Sequence, residues 1–260
     1  MEEIKYALMD PSKNITILVE TKVPIDRQAS VAKKLLLKEK QAEQVGFITS
    51  MSENEIFIRM AGGEFCGNAA ICVSSYYAIL NELKKHEIEV SFYGNSEEIK
   101  TKVRVNVEKI NDDTYKGFVY MPKPKKIETY KKLPVVSLDG ISHIIIEEEI
   151  EKSHAEKYIK DWCIDLDTEA LGLMFYKKID DSNYELKPLV YVKGIDSLFW
   201  ENACASGTFA FGIYKMMQDE KLSHIFIRQT SGDVMEVKKD DSNFCLIGQV
   251  KYLCERTINI

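Results

Sequence analysis

Hydrophobic and polar positions alternate in short runs along most of the chain, most plainly in Thr101-Lys102-Val103-Arg104-Val105-Asn106-Val107. Successive side chains of a strand point to opposite faces, so this period predicts a half-buried antiparallel strand. Strand-like runs recur at 15–19, 45–49, 55–60, 87–93, 100–107, 115–121, 143–146, 171–176, 186–192, 225–228 and 244–253. Helical periodicity is confined to 27–40, 67–85, 155–163 and 207–220. These proportions predict an α+β fold, mainly antiparallel sheet wrapped on a few helices. Between Met121 and Pro134, prolines and lysines break every period, which predicts an exposed crossover near the middle of the chain. The lysines there, and the run Glu147-Glu148-Glu149, read as solvated surface.

A faint repeat lies beneath this pattern. Cys66-Gly67-Asn68-Ala69-Ala70 opens one small-residue helix and Cys204-Ala205-Ser206-Gly207-Thr208 opens another, with Tyr76 and Tyr214 at the same offset from their cysteines. The spacing, about half the chain, fits two related halves packed face to face, each offering one cysteine at a helix start.

Composition narrows the class. The 260 residues are 45% hydrophobic and 29% charged, a globular mixture rather than a disordered or fibrous one. Lys and Arg total 35 against 41 Asp and Glu, so the basic surface that nucleic-acid binding favours is not expected. No run approaches the ~18–20 apolar residues that span a bilayer, and Met1-Glu2-Glu3-Ile4-Lys5 has no export-signal pattern, so the expectation is a cytoplasmic protein without a membrane partner. In that compartment the six cysteines are expected as free thiols. Cys72, Cys163, Cys245 and Cys254 read as packing residues.

Cys66 and Cys204 invite a chemical reading. Each follows a strand-like stretch and precedes a helix, where unpaired N–H groups and the helix dipole favour negative charge and lower a thiol's pKa. A thiolate base opposite a thiol acid suits proton transfer at carbon. Backbone amides at Gly67, Asn68, Ala205 and Ser206 stand where helix starts cradle a carboxylate. An α-amino acid between the sulfurs would lose its α-proton to one and regain a proton from the other on the opposite face. No CxxC and no ligand-spaced histidine accompanies the cysteines, so no metal is expected, and no phosphate or dinucleotide fingerprint is present.

These motifs resemble a known family. Phe65-Cys66-Gly67-Asn68-Ala69-Ala70-Ile71-Cys72 is similar to the CGNGxRC element of diaminopimelate epimerases, and Ala203-Cys204-Ala205-Ser206-Gly207-Thr208 to their ACGSG element. The strand after Lys13-Asn14, Glu43-Gln44-Val45, and Ser231-Gly232-Asp233-Val234-Met235-Glu236-Val237 extend the likeness over nearly the whole chain. It implies two pseudo-symmetric lobes, each an antiparallel β-sheet wrapped around a central helix: 1–121, completed by the C-terminal strand 249–260, and 122–248. It also implies Cys66 and Cys204 as the acid/base pair, Asn14 and Gln44 in the substrate pocket, no cofactor, and a homodimer.

The departures bear on the substrate. Before the second cysteine, Gly194-Ile195-Asp196-Ser197-Leu198-Phe199-Trp200-Glu201-Asn202 lacks the Arg with which diaminopimelate epimerases engage the distal carboxylate. The strings around Gln44, Phe65-Cys66 and Trp200-Glu201-Asn202-Ala203-Cys204 look more like the histidine racemase branch that feeds staphylopine-type metallophore synthesis. That likeness implies interconversion of L- and D-histidine, the alternative being diaminopimelate or another polar amino acid. Phe47, Phe65, Phe199 and Trp200 are candidates to stack on an imidazole and Glu201 to accept its N–H.

Overall fold

The computed structural model describes residues 3–94, 98–147, 151–240 and 243–259. Its first half runs β1 (Glu3–Asp10), β2 (Ile15–Val19), α1 (Ile25–Lys38), β3 (Ala42–Met51), β4 (Glu55–Met60), α2 (Gly67–Leu80), β5 (Lys85–Tyr93), β6 (Ile99–Lys109) and β7 (Thr114–Met121). The second runs β8 (Lys126–Tyr130), β9 (Leu133–Ser137), β10 (Ile141–Ile146), α3 (Lys152–Asp165), β11 (Ala170–Lys178), β12 (Asn183–Val192), a 3-10 turn (Lys193–Ile195), β13 (Ser197–Trp200), α4 (Ala205–Gln218), β14 (His224–Arg228), β15 (Val234–Asp240) and β16 (Asn243–Asn259).

The faint sequence repeat is a repeat of topology. In the first half β1 and β2 pair antiparallel, α1 crosses to β3 parallel to β2, β4 returns antiparallel, and α2 crosses to β5 parallel to β4. The order recurs as β9 and β10, α3, β11, β12, α4 and β14. Each half then ends in an antiparallel meander, β5–β6–β7 and β14–β15–β16. Cys66 and Cys204 stand at the same place in both rounds, immediately before the second helix.

Burial follows the apolar pattern of each helix. α2 is apolar on nearly every side, and eleven of its residues, from Gly67 to Ala78, are buried. α4 buries ten. A helix with no polar face belongs inside, and strands surround both. α1 buries only Gln28, Val31, Ala32 and Leu35, and α3 only Ala155, Ile159 and Cys163, one stripe each, so both lie outside the sheet. β16 joins the halves: its start pairs with β15 and β7, while 251–259 pair with β1 and close β1–β7 into a ring around α2.

The stretch expected as an exposed crossover carries β8, which forms a hairpin with β9 around Lys131 and Lys132, both at positive φ (50° and 69°). Such a turn matches the twist of paired strands. β8 lies at the end of the sheet order, and a short, lysine-bearing edge strand resists pairing with other chains. Its polarity therefore reads as linker in sequence. Of the run Glu147-Glu148-Glu149, only Glu147 lies within the described residues. Among the described residues no helix is long and apolar enough to cross a membrane.

Candidate active site

Cys66 and Cys204 are the N-cap residues of α2 and α4, both in extended conformation (φ −133° and −126°). The first backbone bonds of the two helices run from Ala70 N–H to Cys66 O and from Thr208 N–H to Cys204 O. The N–H groups of Gly67, Asn68, Ala205 and Ser206 thus precede the hydrogen-bonded ladder and are available to an anion. The helix starts abut: a Cβ on Gly67 would sit 2.9 Å from Ala205 Cβ, so glycine is what allows the approach. Both sulfurs line one narrow cavity of about 40 Å³, shared with Glu43, Gln44, Glu64, Phe65, Phe199 and Glu201.

A chain of polar contacts joins the sulfurs. The Cys66 thiol donates to Gln44 Oε1 (3.0 Å), and Gln44 Nε2 donates to Glu201 Oε1 (3.3 Å). Glu201 in turn neighbours Cys204 closely enough to raise its pKa. Cys66 Sγ accepts the Ala69 N–H (3.3 Å), while the Gly207 N–H, at the same offset from Cys204, makes no such cap bond but still favours that thiolate. Cys204 instead has the Ser206 hydroxyl 3.7 Å from its sulfur.

The loop before Cys204 is pinned to the other half of the chain. Ala203 O accepts from Asn14 Nδ2 (2.5 Å) and Asn68 Nδ2 (3.2 Å), while Asn202 Nδ2 donates to Glu43 Oε1 (2.6 Å) and Lys13 O (3.1 Å). The left-handed turn Ser12-Lys13 (φ 59° and 63°) presents Asn14 to this contact. Asn14 does not line the cavity; its amide orients the segment that carries Cys204. Gln44, Gly67, Asn68, Glu201, Ala205 and Ser206 all do line it. Of the aromatic candidates, Phe65 and Phe199 reach it. Phe47 packs in the core beside β2 and α1. Trp200 stacks on Phe175 with ring centroids 5.7 Å apart, and its indole N–H donates to Glu156 (2.6 Å).

Electrostatics in the closed site depart from the sequence-based expectation. Burial pushes both thiols up and the neighbouring Glu201 adds to this at each; the Ala69 N–H opposes it at Cys66, and the Gly207 N–H and Ser206 hydroxyl oppose it at Cys204. Desolvation outweighs the helix dipole here because the sulfurs face each other's half of the protein rather than water. Three carboxyls share the cavity. Burial raises Glu43 and Glu64 to about 7 each, and raises Glu201, next to the charge of Glu43, to about 8. Glu43 Oε2, Glu64 Oε2 and Glu201 Oε2 are buried with no hydrogen-bond partner among the described residues. A buried unpaired carboxyl oxygen is costly, and three around one cavity make a site for cationic or N–H-bearing groups. Among the described residues, none that lines the cavity is Lys or Arg. Among the described residues no three of His, Cys, Asp and Glu come together as metal ligands.

Comparison with known proteins decides the family. The model of the histidine racemase CntK N-terminal domain matches residues 3–248. The chain belongs to the histidine racemase family. A histidine racemase of Fusobacterium nucleatum is 32% identical, the match covering 100% of this chain and 98% of that protein. A histidine racemase of Staphylococcus aureus is 27% identical over 91% of this chain and 89% of its own. The fold extends further: a hydroxyproline epimerase from Agrobacterium vitis superposes with a TM-score of 0.63 at 9% identity, covering 99% of this chain and 91% of that one. Within this family member, sequence reasoning overlooked the side chains of Glu43 and Glu64 as site groups, although both sit in the strings that carry the resemblance.

Proposed function

We propose that this chain racemises histidine with two thiols and no cofactor. The observation that carries the reading is the pairing of the Cys66 and Cys204 sulfurs in one cavity with three unpaired carboxyl oxygens. The N–H groups of Gly67, Asn68, Ala205 and Ser206 hold the substrate carboxylate. The carboxyls of Glu43, Glu64 and Glu201 receive the α-ammonium and the imidazole N–H. One cysteine, as thiolate, takes the α-proton and becomes a thiol; the opposite thiol gives its proton to the other face of the carbanion and becomes the thiolate. The raised thiol pKa values make the thiolate a stronger base once formed, which matches the weak acidity of an α-C–H.

The absence of Lys and Arg from the lining argues against a substrate with a distal carboxylate, and the acidic lining favours a side chain that donates. A cavity of about 40 Å³ holds only a few waters, so an amino acid enters when the site widens. We take 1–121 with the end of β16, and 122–248, as the two lobes whose separation would admit it. Thiols that must stay reduced fit the cytoplasm.

The test is a panel of amino acids incubated with purified enzyme in deuterium oxide. The expected result is α-deuteration with racemisation, with kcat/KM highest for histidine. Faster exchange of diaminopimelate or another polar amino acid would replace histidine, and binding without exchange would remove the racemase reading altogether.

A further inference from the structure

The repeat is broken at one place, between the fourth strand and second helix of each half. In the first half residues 61–66 join β4 directly to α2; in the second, residues 193–204 join β12 to α4 and carry the 3-10 turn and β13. β13 pairs antiparallel with β12, Val190 opposite Phe199 and Val192 opposite Ser197. Residues opposite one another, and residues two apart on a strand, share a face, and all four of these line the cavity. Leu198 and Trp200 point the other way, into the cluster beneath α3.

The cavity has a deep end and an open end. Cys66, Gly67, Asn68, Cys204, Ala205 and Ser206 are buried, whereas Leu36, Glu43, Glu64, Ile195, Ser197 and Phe199 are only half-buried. An amino acid whose carboxylate meets the helix starts, with its α-carbon between the sulfurs, therefore points its side chain toward the half-buried end.

Two elements face each other there, one from each half. α1 brings Leu36 to the cavity from its last turn, and the 3-10 turn brings Ile195. Asp196 follows Ile195 at a left-handed φ of 47°. Lys160 Nζ (2.7 Å) and Tyr191 OH (3.2 Å) donate to its carboxylate, and these contacts, with the Lys33 ammonium of α1, hold that carboxyl below its usual range. Lys33 and Leu36 are three residues apart and share one side of the helix, so the side that meets Asp196 also presents Leu36. Across the turn, a Cβ on Gly194 would stand 3.3 Å from Gly62 O, so the turn is wedged between α1 and the residues after β4. α1 is fixed at the same end by its C-cap Glu39, whose buried carboxylate accepts from Tyr6 OH (2.7 Å) and Arg256 Nη1 (2.8 Å).

We propose that Leu36 and Ile195 are specificity-determining residues: they close over the side chain of the bound amino acid and set the largest ring the site admits. This rests on the racemase reading above, which places the α-carbon. Proton transfer to either face of one carbon is served by a repeated element, but the substrate has a single side chain, and the segment added in one half alone completes its wall. An imidazole at the open end has its N–H groups at the level of Glu43 and Glu64 and its faces against branched aliphatic side chains, an apolar wall with a few polar anchors.

The test compares L-histidine with Nτ-benzyl-L-histidine, which keeps the α-centre and the imidazole and adds bulk to the ring. α-Deuterium exchange of each is measured in deuterium oxide. The wild-type enzyme is expected to favour histidine by at least about a hundredfold in kcat/KM, and Leu36→Ala and Ile195→Ala each to narrow that ratio about tenfold, the scale on which a pocket wall discriminates by size. Leu37→Ala, on the neighbouring residue that is 69% exposed, is expected to leave it unchanged. Access is also read without turnover, as the rate at which N-phenylmaleimide labels Cys66 and Cys204 relative to the smaller iodoacetamide. Both cavity-side substitutions are expected to raise that ratio by a similar factor. Leu36 and Ile195 lie in different halves, so if one variant fails to fold the other decides. Ratios unmoved by the cavity-side substitutions, or moved equally by Leu37→Ala, would overturn the inference. Unmoved ratios in an enzyme that racemises histidine sink this inference alone. Labelling ratios that move as expected in an enzyme that leaves histidine unexchanged sink the proposed substrate alone.

Discussion

Glu43 shows most simply what the cavity is built to receive. Its Oε1 is fixed by Asn202 Nδ2 at 2.6 Å, while its Oε2 is buried and has no hydrogen-bond partner among the described residues. Burial lifts its pKa to about 7, so near neutrality the cavity gains a negative charge when a cation enters and the proton leaves. Glu43→Gln keeps an acceptor for Asn202 and turns the unpaired oxygen into an amide NH₂. The expected outcome is a KM for histidine raised about tenfold to a hundredfold, the range for a hydrogen bond to a charged group, with unchanged thermal unfolding. Steady-state kinetics of the purified variant check this; an unchanged KM removes Glu43 from substrate binding. The place of Cys66, Cys204 and the small residues after them at two helix starts was legible in sequence, because a helical period begins just beyond each cysteine. Glu43 and Glu64 were not, because an acidic residue in a strand or turn usually points to water, and only the tertiary structure buries these.

At the scale of elements, α2 and α4 do two jobs. Their apolar sides fill the two halves of the core, and their N-termini bring together two thiols and the four N–H groups that precede the helical ladders. The junction depends on Gly67, where a Cβ would meet Ala205 Cβ at 2.9 Å. Gly67→Ala is expected to part the helix starts, costing about 1–3 kcal/mol of stability as an overpacked core does. A displacement of about 1 Å at the reacting groups lowers kcat/KM by about a hundredfold. Gly248→Ala serves as the control, since a Cβ there would meet Ile71 Cδ1 at 3.4 Å, ordinary contact. Thermal unfolding and kinetics of the two variants separate a local spacing effect from general glycine loss. All four helices were visible in sequence, displaced by a few residues at their ends: 207–220 stands as Ala205–Gln218, and 67–85 stops at Leu80. β1, β8, β9, β13 and β15 were not visible. β1 mixes charged and apolar residues without a strict period, and β8 has the polar character that protects a sheet edge.

At the scale of the molecule, the repeat puts one thiol from each half into one cavity. Asn14, Asn68, Glu43 and Lys13 of the first half hold the segment that precedes the second thiol. The offset between the cysteine motifs hinted at this symmetry. The matched order of strand pairing, and β16 shared between halves, emerge only from long-range register. The proposed two-thiol mechanism makes a specific isotopic demand. The most direct measurement follows L-histidine racemisation in deuterium oxide at low conversion, with the enantiomers separated and their α-deuterium content read by mass spectrometry. A proton removed by one thiol and replaced from the opposite one predicts D-histidine almost fully deuterated while the remaining L-histidine stays unlabelled. Deuterium appearing in the L-histidine pool as fast as in the product would mean that a single group both takes and returns the proton, and would contradict the two-thiol site.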